Sequence, residues 1–305
     1  MAGSQDFETD ARNEALLILL DGELVPAQEA RVSVFDSGFG MGDGIWEGLR
    51  LHRGSLLFLE EHLERLWAGA AAIRLDVGLT RAALVEDLRR LLRANDMKDG
   101  VHVRLMVTRG RKRTINQDPR TSLGRATVVA TAEYKQRSGS LARGLALATV
   151  SIRTSPPEIF DMRLNSHSRL NLIRALLEAI EAGADEALML DPHGHVASCN
   201  ATNLFWVKAG DIYTSREQYC FNGITRGNVI SACLAGAAPL HQGGFPLEDL
   251  RAADEVFVTG TMGGITPVRS LDRQAFPAVN GPVTQRVAAA YEEMKDRYAR
   301  EHPLW

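Results

Sequence analysis

The first sustained apolar run, Ala15-Leu-Leu-Ile-Leu-Leu20, breaks at Asp21-Gly22 and resumes at Glu23-Leu-Val25. Two β-rich runs split by Asp-Gly predict a hairpin with a tight turn. Residues 1–14 lack apolar periodicity and are expected to form a loose tail or an arm over a partner subunit. Ile45-Trp-Glu-Gly-Leu-Arg-Leu51 and Leu56-Leu-Phe-Leu59 lead into a predicted helix from about residue 60, with Leu63, Leu66 and Trp67 at helical spacing. A second helix over 81–95 precedes β-rich runs at 101–108 and 126–130. Farther along, the pattern predicts a strand over 145–153, a helix over 169–182, and a strand over 186–191 closed by a His193-Gly194 turn. Strands at 203–207 and 211–214 flank Ala209-Gly210, and a helix over 225–235 and a strand over 255–259 follow. The final helix, 283–300, carries Val287, Tyr291 and Met294 on one side.

Antiparallel strands mixed with helices predict an α+β fold rather than a parallel wound sheet. The polar, glycine-containing stretch Glu133-Tyr-Lys-Gln-Arg-Ser-Gly-Ser140 reads as a linker. The expected organisation is a tail over 1–14, a small α+β domain over 15–133, a linker over 134–142 and a larger α+β domain over 143–305.

Composition narrows the function classes. With 305 residues, 45% of them hydrophobic, the chain can bury a sizeable core. Thirty-five basic and 38 acidic residues are spread along it, so neither a nucleic-acid surface nor a polybasic membrane anchor is indicated. Small molecules are the expected partners. Three cysteines, no export-type N-terminus and no bilayer-length apolar run point to the cytoplasm. Cys199, Cys220 and Cys233 lack metal-type spacing and read as buried thiols, and no metal site is expected.

The clearest chemical features are two backbone anion cups. Gly223-Ile224-Thr225-Arg226 opens a predicted helix, whose first turn presents unpaired N–H groups to negative charge, and Thr225 can cap or donate. Thr259-Gly260-Thr261-Met262-Gly263-Gly264 follows a predicted strand, and such a turn can aim successive N–H groups at one oxyanion. Either cup alone is usually structural. The pair is more informative.

Gly42-Asp-Gly-Ile-Trp-Glu-Gly-Leu-Arg50, His62-Leu-Glu-Arg-Leu66, Gly183-Ala-Asp-Glu-Ala-Leu188, Asn203-Leu-Phe205, Gly223-Ile-Thr-Arg226, Ala253-Asp-Glu-Val-Phe257 and Thr259-Gly-Thr261 occur in one order. That ordered set resembles class IV aminotransferases, the fold-type IV pyridoxal phosphate enzymes that include branched-chain and D-amino-acid aminotransferases and aminodeoxychorismate lyases. The resemblance runs from residue 15 to the end. It implies a two-domain α+β fold, a homodimer, and PLP or PMP in a cleft between the domains. It assigns the cofactor phosphate to Arg65, Ile224, Thr225, Gly260 and Thr261. A substrate carboxylate goes to Arg104, with Arg109 as a second candidate, and Trp46 and Met262 stand beside the substrate. For Trp46 a place in the core is an equal alternative.

Two positions depart from the family pattern. Leu164-Asn165-Ser166-His167-Ser168-Arg169 puts Asn165 where the family has its Schiff-base lysine, and an amide cannot form an imine. Val196-Ala-Ser-Cys-Asn200 puts Ser198 where a glutamate keeps the pyridine nitrogen protonated, and a hydroxyl supplies no negative charge. His167 is the nearest possible base, against the blander account of a structural histidine. Three readings stay open: a protein of this family that binds PLP or PMP non-covalently and acts on a small amino or keto acid, a cofactor-independent enzyme using the same cleft, and a non-catalytic binder of a phosphorylated metabolite.

Overall fold

A computed structural model describes residues 3, 7–136 and 143–305. Residues 1, 2 and 4–6 of the expected tail and 137–142 of the expected linker lie outside the described residues. The chain forms two compact units. The first comprises Thr9–Gln136, Leu164–Ser168 and Asp296–Trp305; the second takes the described residues of Met1–Glu8, Arg137–Arg163 and Arg169–Lys295.

In the first unit, strands β1 (Leu17–Leu20) and β2 (Glu23–Pro26) form the expected hairpin. Asp21 and Gly22 both take positive φ, the conformation a two-residue hairpin turn requires. A short helix, α1 (Ser37–Met41), leads to β3 (Gly44–His52), β4 (Ser55–Leu56), helices α2 (Leu59–Ala72) and α3 (Arg81–Ala94), then β5 (Val101–Thr108) and β6 (Thr127–Tyr134). The six strands order β2-β1-β6-β5-β3-β4, all neighbours antiparallel. Strand alternation sends Leu49, Leu51, Val103, Leu105, Val107 and Ala130 to one face. There they pack with Leu63, Leu66, Leu84, Leu88 and Leu91, the helical-spacing residues of α2 and α3. Trp46, Gly48, His102 and Arg104 take the alternate positions of β3 and β5. Ala11–Asn13 make a 3-10 turn, and Asn13 exchanges hydrogen bonds of 2.9 and 2.8 Å with the Tyr134 backbone. This part of the expected loose tail is therefore fastened, by the same polar side chains that erase its apolar periodicity.

The second unit contains β7 (Leu145–Thr149), α4 (Leu170–Glu181), β8 (Glu186–Leu190), β9 (Val196–Cys199), β10 (Asn203–Lys208), β11 (Asp211–Ser215) and α5 (Ile224–Ala232). Then come β12 (Leu240–Gly243), α6 (Leu247–Arg251), β13 (Glu255–Gly260), β14 (Gly264–Leu271), β15 (Gln274–Ala275) and α7 (Pro282–Glu301), whose residues from Asp296 on are counted with the first unit. The nine-stranded sheet runs β12-β11-β10-β13-β14-β7-β8-β9, with β15 on β14. Three pairings are parallel: β11/β12, β14/β7 and β7/β8. Mixed pairing and separate helices make both units α+β. Trp206, Val256, Val258 and Val268 lie in the core on one side of this sheet, while Ala148, Ala187 and Met189 pack under Ala175 and Ala179 of α4.

Among the described residues no helix is long and apolar enough to cross a membrane. All three cysteines are buried and unpaired, as their spacing predicts.

Candidate functional site

The residues singled out from sequence fall into two groups, one in each unit. In the first unit Asn165 is buried, and its Nδ2 donates to the Trp46 carbonyl at 2.5 Å while its own carbonyl accepts from the Trp46 N–H at 2.9 Å. The Trp46 indole N–H donates to the Ser166 carbonyl at 3.1 Å. His167 continues this short pairing: its N–H donates to the Gly44 carbonyl at 2.9 Å and its Nε2 lies 3.1 Å from the Ile45 carbonyl. Because a carbonyl only accepts, the proton of neutral His167 sits on Nε2. Residues 165–167 thus extend β3's pairing through an isolated Ile45–Ser166 bridge, and His167 is held by that pairing.

Trp46 is half-buried and outside the core. The Arg104 guanidinium carbon lies 3.7 Å from the centroid of its ring, a cation–π stack. Burial pulls the Arg104 pKa below its ordinary value despite the opposing charge of Glu133. A Cβ on Gly48 would come 2.9 Å from His102 Nε2, tighter than side chains tolerate, while meeting the Trp46 ring in ordinary contact at 3.5 Å, so the His102 approach favours glycine. His102 is buried, and burial with Lys135, Arg104 and Arg50 nearby lowers its pKa to about 3, leaving a neutral imidazole. Arg109 behaves differently. Its Nε and Nη2 clasp Asp43 at 2.7 and 3.0 Å, and its remaining donors reach the carbonyls of Arg74 and Ile73 at 2.8 Å each. That set of bonds stitches the end of α2 to the turn before β3 and engages the donors that a ligand carboxylate would need, which favours Arg104 over Arg109 for that role.

Arg65 lies three residues after His62 on one face of α2, and both meet Glu47 of β3. The Glu47 carboxylate accepts from Arg65 Nε at 2.8 Å and Nη2 at 2.6 Å, and His62 Nδ1 lies 2.6 Å away. Burial alone would raise the Glu47 pKa, but the charge and hydrogen bonds of Arg65, with those of His62, hold it below the ordinary carboxylate range. Glu47 orients the Arg65 fork. Sequence reading passed over both partners, although each lies in a quoted motif.

In the second unit the first cup opens α5 and the second follows β13. Gly223 is the N-cap of α5 and supplies no side-chain hydrogen bond to the first turn. The N-terminus of α7 contrasts with it: there the buried Glu255 carboxylate accepts from Val283 N at 3.1 Å and Thr284 N at 2.7 Å. The α7 end is neutralised by the protein itself, whereas the N-cap residue of α5 is a glycine with no side chain to do the same. Thr225 is not the cap. It lies inside the first turn, buried, with its hydroxyl hydrogen-bonded to Tyr291. Asn203, at the start of β10, donates to the Phe221 carbonyl at 2.6 Å, and a Cβ on Gly223 would fall 2.5 Å from its Oδ1. Asn203 is paired in register with Thr259, the residue before Gly260. It therefore ties the first cup to the strand that opens the second. Thr261, Met262 and Gly263 form the turn between β13 and β14, closed by the Gly260–Gly264 pair with Gly264 at φ 57°.

Ser198 is buried on β9 and its hydroxyl donates to the Thr202 carbonyl at 3.2 Å. Glu186, a buried carboxylate nearby, accepts from the Thr202 hydroxyl at 2.7 Å. It belongs with Leu188 and its cross-strand partner Cys199, on the opposite face of the strands from Ser198. Burial, then Glu186, raises the Cys199 pKa well above normal, so that thiol is inert. No group of histidine, cysteine, aspartate and glutamate suited to a metal ion occurs among the described residues.

Comparison with known proteins gives this arrangement a context. The family model for amino-transferase class IV matches residues 44–271. The chain is 38% identical over 285 residues to branched-chain-amino-acid aminotransferase-like protein 2 of Arabidopsis thaliana, covering 93% of this chain and 51% of that protein. It thus spans about half the length of the plant relatives it matches. With the branched-chain-amino-acid aminotransferase of Pseudomonas aeruginosa it shares 31% identity over 95% of this chain and 96% of the other. Among solved structures, the branched-chain aminotransferase of Thermoproteus uzoniensis with norvaline superimposes with a TM-score of 0.84 at 30% identity, covering 95% of this chain and 100% of that one. A matching family model over most of its length, full-length relatives and one shared α+β architecture show that this chain belongs to the class IV aminotransferases.

Proposed function

We propose that this protein binds a pyridoxal-type phosphate, PLP or PMP, without a covalent link, and that it handles a small amino or keto acid. The observation that carries the reading is the glycine N-cap of α5, which supplies no side-chain acceptor to the first turn and is tied through Asn203 to the strand that opens the second cup. The residues present fit the phosphate of such a group. Backbone N–H groups of Ile224 and Thr225 and the Gly260–Thr261 turn are donors suited to a dianion, as is the guanidinium of Arg65, which the family resemblance alone assigns to the same phosphate, each bond worth roughly 1.5–3 kcal/mol.

They do not fit its ring chemistry. When bound, the group supplies an electron-accepting ring, and that role needs an amine at position 165 and a negative charge at 198. The chain offers an amide and a hydroxyl, so no lysine-dependent exchange follows from these residues. Loss of a general acid–base group costs ~10²–10⁴-fold in rate. Arg104, poised on Trp46, is the candidate for a ligand carboxylate, with Met262 beside the second cup.

A second reading, a binder without turnover, is favoured by one observation: Asn165 and His167 both commit side-chain nitrogens to the β3 backbone. Equilibrium titration with PMP, followed by single-turnover assays with a panel of keto acids, separates the two. Saturable PMP binding with slow conversion supports the first reading, and binding without conversion supports the second. Failure to bind PMP or PLP at millimolar concentration rejects both and leaves cofactor-independent use of the site.

A further inference from the structure

Tyr291 is a side chain that touches both anion cups, and neither the family resemblance nor any relative's description gives it a role. It projects from α7, is 3% exposed, and is hydrogen-bonded to Thr225 in the first turn of α5. Its ring edge lies against the end of the other cup, with Cε1 3.5 Å from where a Cβ on Gly264 would sit. Gly264 has φ 57° and closes the Thr261–Gly263 turn by pairing with Gly260. A single aromatic plate therefore supports the closing glycine of one cup and holds the hydroxyl of the other.

The direction of the Thr225–Tyr291 bond follows from donor counting. A threonine hydroxyl has one proton and two lone pairs. If Thr225 spends its proton on Tyr291, none is left for an anion. If Tyr291 donates, the Thr225 proton is committed outward. An anion in the cup selects the second arrangement, because a lone pair facing the anion is repelled and a proton is attracted. The phenol is always available as donor: burial pushes the Tyr291 pKa up to about 12.

We infer that Tyr291 is a positioning residue for phosphate binding: its phenol donates to Thr225 Oγ1 and thereby directs the Thr225 hydroxyl at the ligand phosphate, while its ring fixes Gly264 beneath the second cup. This rests on the proposal that the cups take a pyridoxal-type phosphate. The role belongs to recognition of the phosphate alone, so its signature is a ratio of affinities and not a general loss of binding.

The test compares PMP with dephosphorylated pyridoxamine as ligands of the full-length protein, with inorganic phosphate as competitor. Tyr291→Phe keeps the ring and removes the donor. It is expected to lower the preference for PMP over pyridoxamine by roughly fivefold, the scale of one hydrogen bond, with pyridoxamine affinity unchanged. In a Thr225→Val background the same substitution should have no further effect, since the two residues act as one unit. Tyr291→Met, which fills similar volume and also removes the donor, serves if the Phe variant melts early. An unchanged PMP preference in either Tyr291 variant overturns the inference, as do additive effects in the double variant. If the wild-type protein itself shows no preference for PMP, the reading of the cups as a cofactor phosphate site fails first, an outcome distinct from failure of Tyr291 alone.

Discussion

The cups of the second unit and the 164–168 segment of the first carry the two halves of what the family resemblance assigns to one cofactor, and they have fared differently. In the cups the groups suited to an anion are backbone N–H groups, held by Asn203, Gly223 and the β13–β14 turn. In the 164–168 segment the chemistry that the resemblance implies would rest on one side chain, at the position where this chain carries Asn165, which pairs instead with the Trp46 backbone. Anion recognition is spread over many backbone groups and survives most substitutions, whereas covalent chemistry is concentrated and one exchange removes it.

The largest expected effect sharpens that contrast. Asn165→Lys with Ser198→Glu should turn a protein that forms no borohydride-stable adduct into one that does, read by absorbance and intact mass. If the double variant binds PLP no better and forms no adduct, the pocket has diverged beyond those positions. Next in size is Glu47→Ala, which strips Arg65 and His62 of their buried partner and should cost about 3–5 kcal/mol in stability, measured by denaturant melts. A loss below about 1 kcal/mol, the scale of an exposed pair, would mean Arg65 is oriented by something else.

The same carboxylate sets a pH dependence. Glu47 has a folded pKa below its ordinary value, so its contribution is fully present above the ordinary carboxylate pKa and is lost as pH falls through the folded one. Stability should therefore decline below about pH 4, and Glu47→Gln should flatten that part of the profile. Smaller again is Gly48→Ala, whose Cβ would press on His102, beside the Trp46 ring. It should cost about 1–3 kcal/mol and loosen the Arg104–Trp46 stack, visible in Trp46 fluorescence. A neutral effect would show that the two rings yield easily.

Much of this was legible in the sequence where local signals suffice. Asp21-Gly22 located its hairpin because two positive-φ residues have few alternatives, and α3 appeared within one residue of its expected end. Strand β14 is not predicted from the sequence: it opens on Gly264 and contains Pro267, both poor strand signals, and its pairing comes from β13 across the turn and, from Val268 on, from distant β7. Helix α1 was hidden by Gly38 and Gly40, poor helix formers kept helical by the Asp36 cap on Gly38 N–H. The site divides likewise. Gly223-Ile-Thr225 marks a glycine-opened helix start by itself, and only its pairing with Thr259-Gly-Thr261 makes an anion cup the expectation. Asn203 and Tyr291 have no local signature, because each acts across the fold on a loop or turn that sequence distance conceals; only the Asn203-Leu-Phe205 motif hinted at the first.

The most direct test of the central claim is borohydride reduction of the PLP-saturated wild-type protein, followed by dialysis and peptide mass mapping. The account predicts an unmodified chain, with all cofactor recovered in the dialysate. A stable pyridoxyl adduct on any lysine would contradict it.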